Sequence, residues 1–406
     1  MPEKIAIIGG GAAGFFAAIA CAEANPTKEV SIYERGTDFL TKVRISGGGR
    51  CNVTHACFDA RDLSERYPRG ERALISPLHR FSASDTIAWF EDRGVTLKTE
   101  EDGRMFPVTD SSQTIVDCLV NAATRAGVRL FTRKGVEAVR RKPDGFDLQF
   151  ADGSTTHCRR VLLATGGTRS ISGGQIARWL GHSAVPAVPS LFSFHVGEKW
   201  LRALPGVSVA DVEASVPETP LRERGPLLIT HQGVSGPVIL RLSAWGARIL
   251  HARDYEFTLR LNWAPGLSEP EVHRQVRSLR ESNPNRRVIN SPIAEIPARL
   301  WEQLALSAGI DHETRWTNLS RDNANRLSAH LLRTEVGVNG KSLNKDEFVT
   351  CGGVNLTEVD FKTMQSRIVP GLYFAGEVLD IDGITGGFNF QSAWTTGWIA
   401  GNAMAL

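Results

Sequence analysis

Near its start the chain runs Lys4-Ile-Ala-Ile-Ile8, then Gly9-x-Gly11-x-x-Gly14, then an Ala-rich stretch from Phe15 to Ala24. A short buried-type strand, a glycine turn and a helix former, in that order, turn a weak glycine pattern into a usable one. Each glycine has a task. The first allows a tight turn, the second lets backbone approach a pyrophosphate, and the third lets helix and strand pack closely. The helix N-terminus offers unpaired N–H groups and a positive dipole end to the phosphates. Val30–Tyr33 reads as the second strand, with Glu34 at its end, where an acid accepts hydrogen bonds from ribose hydroxyls. An acid there disfavours a 2′-phosphate, so this pocket suits FAD or NAD rather than NADP.

At 406 residues the chain exceeds one ordinary core, and two or three lobes are expected. A formal net charge of +3 is too small to imply nucleic-acid binding from bulk charge alone. Charges interrupt every apolar run before the ~20 residues a membrane span needs, and no cationic leader precedes Ile5, so a cytoplasmic protein is expected. The six cysteines are scattered, without CxxC or zinc spacing. They read as reduced thiols, and no metal site is expected.

Further along, Ser84–Arg93 and Ser111–Ala126 have cap residues and helical apolar spacing, while Val95–Lys98 and Val128–Phe131 read as strands. Residues 41–57 read as a second Gly/Arg-rich loop. Gly135–Arg141, Phe146–Phe150 and Thr155–Cys158 form a small meander, and Val161–Ala164 is a buried strand ending in Thr165-Gly166-Gly167. After Pro186 and Pro189 the character changes. Residues 190–265 hold short strand-like runs, among them Val207–Val216 and Glu256–Leu261, and suggest an inserted β-barrel-like domain. Residues 266–345 are helical in pattern and rich in Arg. The expected architecture is α/β: a Rossmann-like, glutathione-reductase-like FAD-binding domain from residues 1–189 and 346–406, with the barrel and helical domain inserted.

The tail decides between the two dinucleotides. Gly371–Ala375 reads as a core strand followed by Gly376 and Glu377. Gly383-Ile-Thr-Gly386-Gly387-Phe388-Asn389-Phe-Gln391 opens a last helix, Phe388–Ala405. An NAD-only enzyme needs no such second site. In FAD, a carboxylate can bind the ribityl hydroxyls, and a helix N-terminus stabilises charge on the reduced ring.

With these motifs the sequence resembles the BaiN/YhiN-type flavoprotein family, also described as aminoacetone-oxidase-like NAD(P)/FAD-dependent oxidoreductases. Ser46-Gly-Gly-Gly-Arg-Cys-Asn52, Gly103-Arg-Met-Phe-Pro107, Ala164-Thr-Gly-Gly167, Thr230-His-Gln-Gly-Val-Ser-Gly-Pro237, Val349-Thr-Cys-Gly-Gly-Val354 and Gly376–Gln391 follow in family order along nearly the whole chain. The resemblance implies an FAD fold with an inserted barrel and helical domain. It leaves the substrate open among bile-acid enones, amines and a uridine in ribosomal RNA. Two departures stand out: Arg44, where the family loop carries an apolar residue, and Ser170-Ile-Ser-Gly-Gly-Gln175, which lacks an acid many relatives have.

Cofactor contacts are expected at Gly9, Gly11, Ala13, Gly14, Glu34, Arg35, Lys42, Ser46, Gly48, Gly49, Arg50, Cys51, Asn52, Val136, Thr165, Gly166, Gly376, Glu377, Gly386, Gly387, Phe388 and Asn389. The Lys42–Asn52 loop can present consecutive N–H groups, with Cys51 either a packed thiol or a redox partner. Thr350-Cys351-Gly352-Gly353 resembles a loop that crosses the flavin edge in fumarate-reductase-like folds and holds substrate. Arg104 and Phe106 are substrate-cavity residues by resemblance. His231 or Cys351 could supply a proton after hydride leaves the flavin, and His231 is preferred because histidine titrates near neutrality.

Four functions compete. The first is an NAD(P)H-driven reductase of a C=C bond in a small conjugated substrate. NADH or NADPH then acts as a transient donor, since no second GxGxxG exists beyond a degenerate Gly173-Gly174. The second is a ribosomal RNA dihydrouridine synthase, with RNA on the Arg-bearing insert (Arg274, Arg277, Arg286, Arg321). An amine oxidase using O2 and a non-catalytic flavin protein are the others.

Overall fold

The computed structural model describes residues 2–167, 173–342 and 349–406. It divides into two compact units, one made of residues 1–190 and 345–406 and the other of residues 191–344. The departure at Ser170-Ile-Ser, and the expected boundary at 345/346, lie outside the described residues.

The first unit is built on a seven-stranded sheet in the order Val359–Asp360, Gln365–Ser366, Leu372–Phe374, Arg160–Leu163, Lys4–Ile8, Glu29–Tyr33 and Arg129–Phe131. The last five strands are parallel, and Ile5-Ala-Ile-Ile8 sits at the centre with Val161–Leu163 on one side and Val30–Tyr33 on the other. Buried on both faces, such strands read as continuous apolar runs. The meander of Val136–Lys142, Gly145–Phe150 and Thr155–Cys158 forms its own sheet. A third small sheet places Arg104–Pro107 between Thr54–His55 and Leu97–Thr99.

The first helix, Ala12–Ala24, and the last, Phe388–Ala405, pack against each other. They can do so closely because both carry small residues at the crossing. A Cβ on Gly397 would stand 2.6 Å from Ala13 O, and one on Gly401 would stand 2.3 Å from Ala17 O. Asn25 Nδ2 closes the far end by donating to Ala405 O at 2.9 Å. Head and tail of this unit are therefore one packed layer. Aromatic rings extend that layer, with Phe16 against Trp394 at 4.7 Å and against Trp89 at 4.4 Å.

The second unit is a closed six-stranded barrel: Ser193–Val196, Gly233–Ser235, Arg222–Ile229, Ser208–Ser215, Glu256–Asn262 and Thr334–Ser342, the last pairing with the first. Helices Glu269–Ser282, Ala298–Ser307 and Arg321–Arg333 come between its last two strands. The division of this region into a barrel over 190–265 and helices over 266–345 therefore needs adjustment. The final barrel strand falls inside the stretch read as helical, and one apolar core joins Phe257, Leu259 and Val336 to Trp301 and Leu327. Two buried indoles are satisfied within it. Trp263 donates to Thr334 Oγ1 and Trp301 to Val288 O, both at 2.8 Å.

Among the described residues no helix is long and apolar enough to cross a membrane. Among the described residues no two cysteines are joined in a disulfide.

Candidate functional site

The glycine turn of the first unit has the shape its sequence demands. A Cβ on Gly9 would meet Ala164 O at 2.3 Å, and one on Gly14 would meet Gly9 O at 2.0 Å, so both positions are closed to any side chain. Gly11 differs: nothing lies within 4 Å of the same point. That open side of the turn, at the start of a 13-residue helix whose N-terminal cap has no side-chain hydrogen bond, fits an anionic pyrophosphate. Ala13 is buried against Gly376, whose Cβ would lie 2.9 Å from that of Ala13.

Glu34 is held in place before any nucleotide is considered. Gly10 N donates to Oε2 at 2.8 Å and Gly36 N donates to Oε1 at 2.7 Å. Each carboxylate oxygen keeps an acceptor site for a ribose hydroxyl. Arg35 beside it is exposed, and its aliphatic stem covers Gly135, one residue before the buried Val136.

Residues 41–57, expected to be a loop, are partly helical. Thr41–Gly49 begins as a helix and unwinds at Ser46, Gly47 and Gly48. Gly47, Gly48 and Gly49 take φ of 58°, 68° and 84°, a left-handed run that glycine alone adopts easily. A Cβ on Gly48 or Gly49 would meet nothing within 4 Å, so open space lies beside this turn. Arg44 points away from this turn, donating from Nη1 to Gln113 Oε1 while its carbonyl accepts from Ser112 Oγ at 2.6 Å. The departure from the family pattern at Arg44 thus falls on a contact with helix Ser112–Arg125.

Cys51 is buried, and burial pushes its thiol up to about 12, with a hydrogen bond to Ser46 opposing the shift weakly. It is a packed thiol rather than a thiolate. Asn52 is buried and spans to the tail. With its amide oxygen toward Gly387 it accepts from Gly387 N at 2.9 Å and donates to Thr54 O at 3.0 Å.

The tail supplies the other wall. Gly387 caps helix Phe388–Ala405, and Asn389 braces the approach by donating to Gly383 O and accepting from Gly383 N, both at 2.9 Å. Glu377 joins three segments: Oε2 pairs with Lys42 Nζ at 2.7 Å and Oε1 accepts from Thr350 N at 2.7 Å. Gly167 lies against the same group, since its Cβ would stand 2.2 Å from Thr350 Oγ1 and 3.0 Å from Glu377 Oε1. Thr165 Oγ1 is buried and finds no partner among the described residues. Gly166 beside it takes φ 76° with open space where a Cβ would be. Gly173 packs against this threonine, with Thr165 Oγ1 only 1.8 Å from where a Cβ would stand.

Thr350, Cys351, Gly352 and Gly353 are all buried, and the strand Val349–Cys351, which the two glycines follow, lies beside Val188–Ser190. On the sheet containing Arg104–Pro107, Arg50 stacks over Phe106 with its guanidinium carbon 4.0 Å from the ring centroid. Arg50 Nη1 pairs with Glu100 Oε1 at 2.6 Å and Arg104 Nη2 with Glu100 Oε2 at 3.0 Å. Hydrogen bonding to Glu100 holds the Arg50 guanidinium charge above its ordinary pKa.

His231 belongs to the other unit. It is exposed at the tip of a turn closed by Thr230 N donating to Gly233 O at 2.8 Å, and its own carbonyl accepts from Arg202 Nε at 3.3 Å. One histidine that sequence reasoning passed over lies within the first unit. His55 stacks on Phe388 at 4.8 Å and bonds Asp102 O through Nε2 at 3.1 Å. Burial lowers its pKa. Its only sequence signal was its place three residues after Asn52.

Residues 3–403 match the family described as HI0933-like protein Rossmann domain. The chain is 32% identical over 409 residues to the ribosomal RNA dihydrouridine synthase of Escherichia coli, covering 97% of this chain and 95% of the relative. It is 30% identical over 411 residues to the 3-dehydro-bile acid delta(4,6)-reductase of Clostridium scindens, covering 99% of both. The fold is similar to that of the 3-ketosteroid-delta4-(5alpha)-dehydrogenase of Rhodococcus jostii, with a TM-score of 0.52 at 14% identity, covering 100% of this chain and 97% of that one.

Proposed function

Because the chain belongs to the HI0933-like Rossmann-domain family of FAD-dependent oxidoreductases, we propose that it is a reductase acting on a C=C bond conjugated to a carbonyl, with NADH or NADPH as electron donor. The observation that carries this reading is the junction at Glu377. One carboxylate ties a candidate cofactor residue, Lys42, to the backbone of the buried Thr-Cys-Gly-Gly segment at Thr350. Two relatives add chemical support, since making dihydrouridine and reducing a bile-acid diene both saturate a double bond in a conjugated ring system.

Bound FAD would supply hydride to one carbon of that bond. Gly11 and the helix behind it would hold the pyrophosphate, Glu34 would accept from the ribose hydroxyls, and Ser46, Gly48, Gly49 and Asn52 would bind the rest of the chain. Glu377 would accept from ribityl hydroxyls, and Gly386, Gly387 and Phe388, at the last helix's N-terminus, would stabilise charge on the reduced ring. Thr350, Gly352 and Gly353 orient the substrate, with Arg104 and Phe106 beyond them. His231, or Cys351 in its place, delivers the proton to the second carbon, so two electrons and two hydrogens are added in all.

Anaerobic titration of the yellow protein with NADH, NADPH and aminoacetone tests the donor. Bleaching by a nicotinamide followed by reoxidation with a conjugated dienone is expected. Bleaching by aminoacetone alone would favour the oxidase reading instead. A His231→Gln variant that kept full turnover with saturating substrate would remove His231 from the proton path.

A second reading, in which the ring is a uracil in structured RNA, is favoured by exposed arginines of the inserted unit, among them Arg274, Arg277 and Arg321 on helices and Arg286 in a bend between them. It predicts RNA binding that weakens steeply with salt. No RNA affinity at low ionic strength would end it.

A further inference from the structure

One buried charge cluster in the first unit has no part in the assignments above. Asp382 is fully buried, and Arg69 meets it with both arms of its fork, Nε donating to Oδ1 at 2.6 Å and Nη2 to Oδ2. Ser190 Oγ also donates to Oδ2, at 2.7 Å, and Arg69 Nη2 reaches Ser190 Oγ at 3.3 Å. Backbone follows the side chains: Asp382 N donates to Arg69 O at 3.3 Å and Ile384 N to Arg66 O at 2.9 Å. Burial raises the Asp382 pKa, against the opposing pull of Arg69.

Burying an ion pair is costly, and apolar residues of similar size would often stabilise a fold as well or better. A fully satisfied polar cluster, on the other hand, specifies one geometry. The geometry at stake here is identifiable. The strand Val349–Cys351 pairs antiparallel with Val188–Ser190, Ser190 lying opposite Val349. On its other side Val354 N donates to Val378 O at 2.9 Å and Asp380 N donates to Val354 O at 3.1 Å. Gly353 is pressed so tightly that a Cβ would stand 2.4 Å from the carbonyl carbon of Leu379. The middle segment, Thr350 to Gly353, thus takes its position from two outer ones. Ser190 terminates one of them and Asp382 continues the other, while Arg69 binds both ends together.

We infer that Arg69, Asp382 and Ser190 are positioning residues that set the spacing between the substrate-orienting segment Thr350–Gly353 and the cofactor turn Gly383–Asn389. The inference rests on the flavin-reductase reading and deepens it. Arg69 and Asp382 act on the turn through Gly383, and Ser190 acts on Thr350 through its own strand, which sets Ser190 opposite Val349 and Pro189 opposite Thr350.

The test uses the full chain loaded with FAD and three variants: Ser190→Ala, Ser190→Thr and Asp382→Asn. Three quantities are measured: the visible circular dichroism of bound FAD, its dissociation rate, and the rate at which a 4,6-dien-3-one steroid reoxidises the dithionite-reduced protein. Ser190→Ala should keep FAD and its dissociation rate, alter the shape of the dichroic bands, and slow reoxidation at saturating steroid by about tenfold to a hundredfold, the scale of a small misplacement. Ser190→Thr, which restores the hydroxyl, should restore both. Asp382→Asn should show the larger effect where it folds. A Ser190→Ala protein identical to the parent in dichroism and reoxidation would overturn the inference, as would a defect that threonine does not repair. If the parent holds FAD but ignores the steroid, the substrate reading fails and the dichroism alone decides the positioning role. A parent that takes up no FAD would sink both.

Discussion

Lys42 Nζ lies 2.7 Å from Glu377 Oε2, although 335 residues separate the two along the chain. The carboxylate that makes this pair also accepts from Thr350 N. Loss of either partner therefore should be felt in the site more than in the fold. Lys42 is half exposed, and exposed pairs contribute about 0–1 kcal/mol to stability. Lys42→Met should leave the denaturation midpoint almost unchanged, whereas Glu377→Gln should slow steroid reoxidation of the reduced flavin. Equilibrium unfolding and stopped-flow absorbance measure the two effects separately.

Glu34 should act on cofactor affinity. Its two oxygens are already oriented by Gly10 N and Gly36 N, so ribose hydroxyls meet a fixed acceptor. Hydrogen bonds to a charged group contribute about 1.5–3 kcal/mol, which converts to a loss of about tenfold to a hundredfold in FAD affinity for Glu34→Ala. Fluorescence titration of the apoprotein with FAD reads this directly.

Gly401→Val should loosen the contact between the first and last helices, because the space is occupied by Ala17 O at 2.3 Å. Overpacking of this kind costs about 1–3 kcal/mol. Denaturant unfolding should show that loss, together with faster release of FAD. An unchanged midpoint would mean that the helices can separate without cost.

Acid should destabilise the first unit through His182. Its side chain is fully buried, with Nδ1 2.9 Å from Glu358 Oε2 and Nε2 2.8 Å from Ser366 Oγ. Burial holds its pKa below the ordinary 6.5, although Glu358 pulls the other way. The unfolded chain then binds a proton that the folded chain refuses, so this contribution is complete above pH 6.5 and is lost as pH falls toward the folded-state value. Unfolding midpoints at pH 7.5 and pH 5.5 should differ, and His182→Gln should narrow the difference.

Cys51 should be chemically silent. With its thiol pushed up to about 12 by burial, iodoacetamide should spare it in the native protein, as peptide mass spectrometry would reveal. Cys51→Ala should retain reoxidation rates within about twofold, since only the thiolate is a strong nucleophile. A collapse in rate with FAD still bound would restore Cys51 as a redox partner.

What could be read in advance follows the range of the interactions involved. Lys4–Ile8 and Phe388–Ala405 match the sequence reading residue for residue, because apolar runs and glycine punctuation are local signals. The strand Thr334–Ser342 was hidden. Its alternation of Val336 and Val338 with Glu335 and Asn339 is short, and its partner Ser193–Val196 lies far back in the chain. Asp382 gave no sign of its role either, for nothing near it in sequence announces Arg69 or Ser190. The helical turn before Gly47 was masked by the glycines that end it. Motifs marked the segments of the candidate site, and the pairs that brace those segments came only with tertiary structure.

The packed layer made by the first and last helices has a consequence for the order of events during synthesis. The helix Ala12–Ala24 is apolar on every side, and its Ala13, Ala17 and Ala20 face has no cover until Gly397 and Gly401 emerge from the ribosome. At elongation rates of about 5–20 residues per second, that face waits on the order of tens of seconds. The nascent head is therefore a natural client for a chaperone, and a finished nucleotide pocket can form only after residues 376–401 have been made.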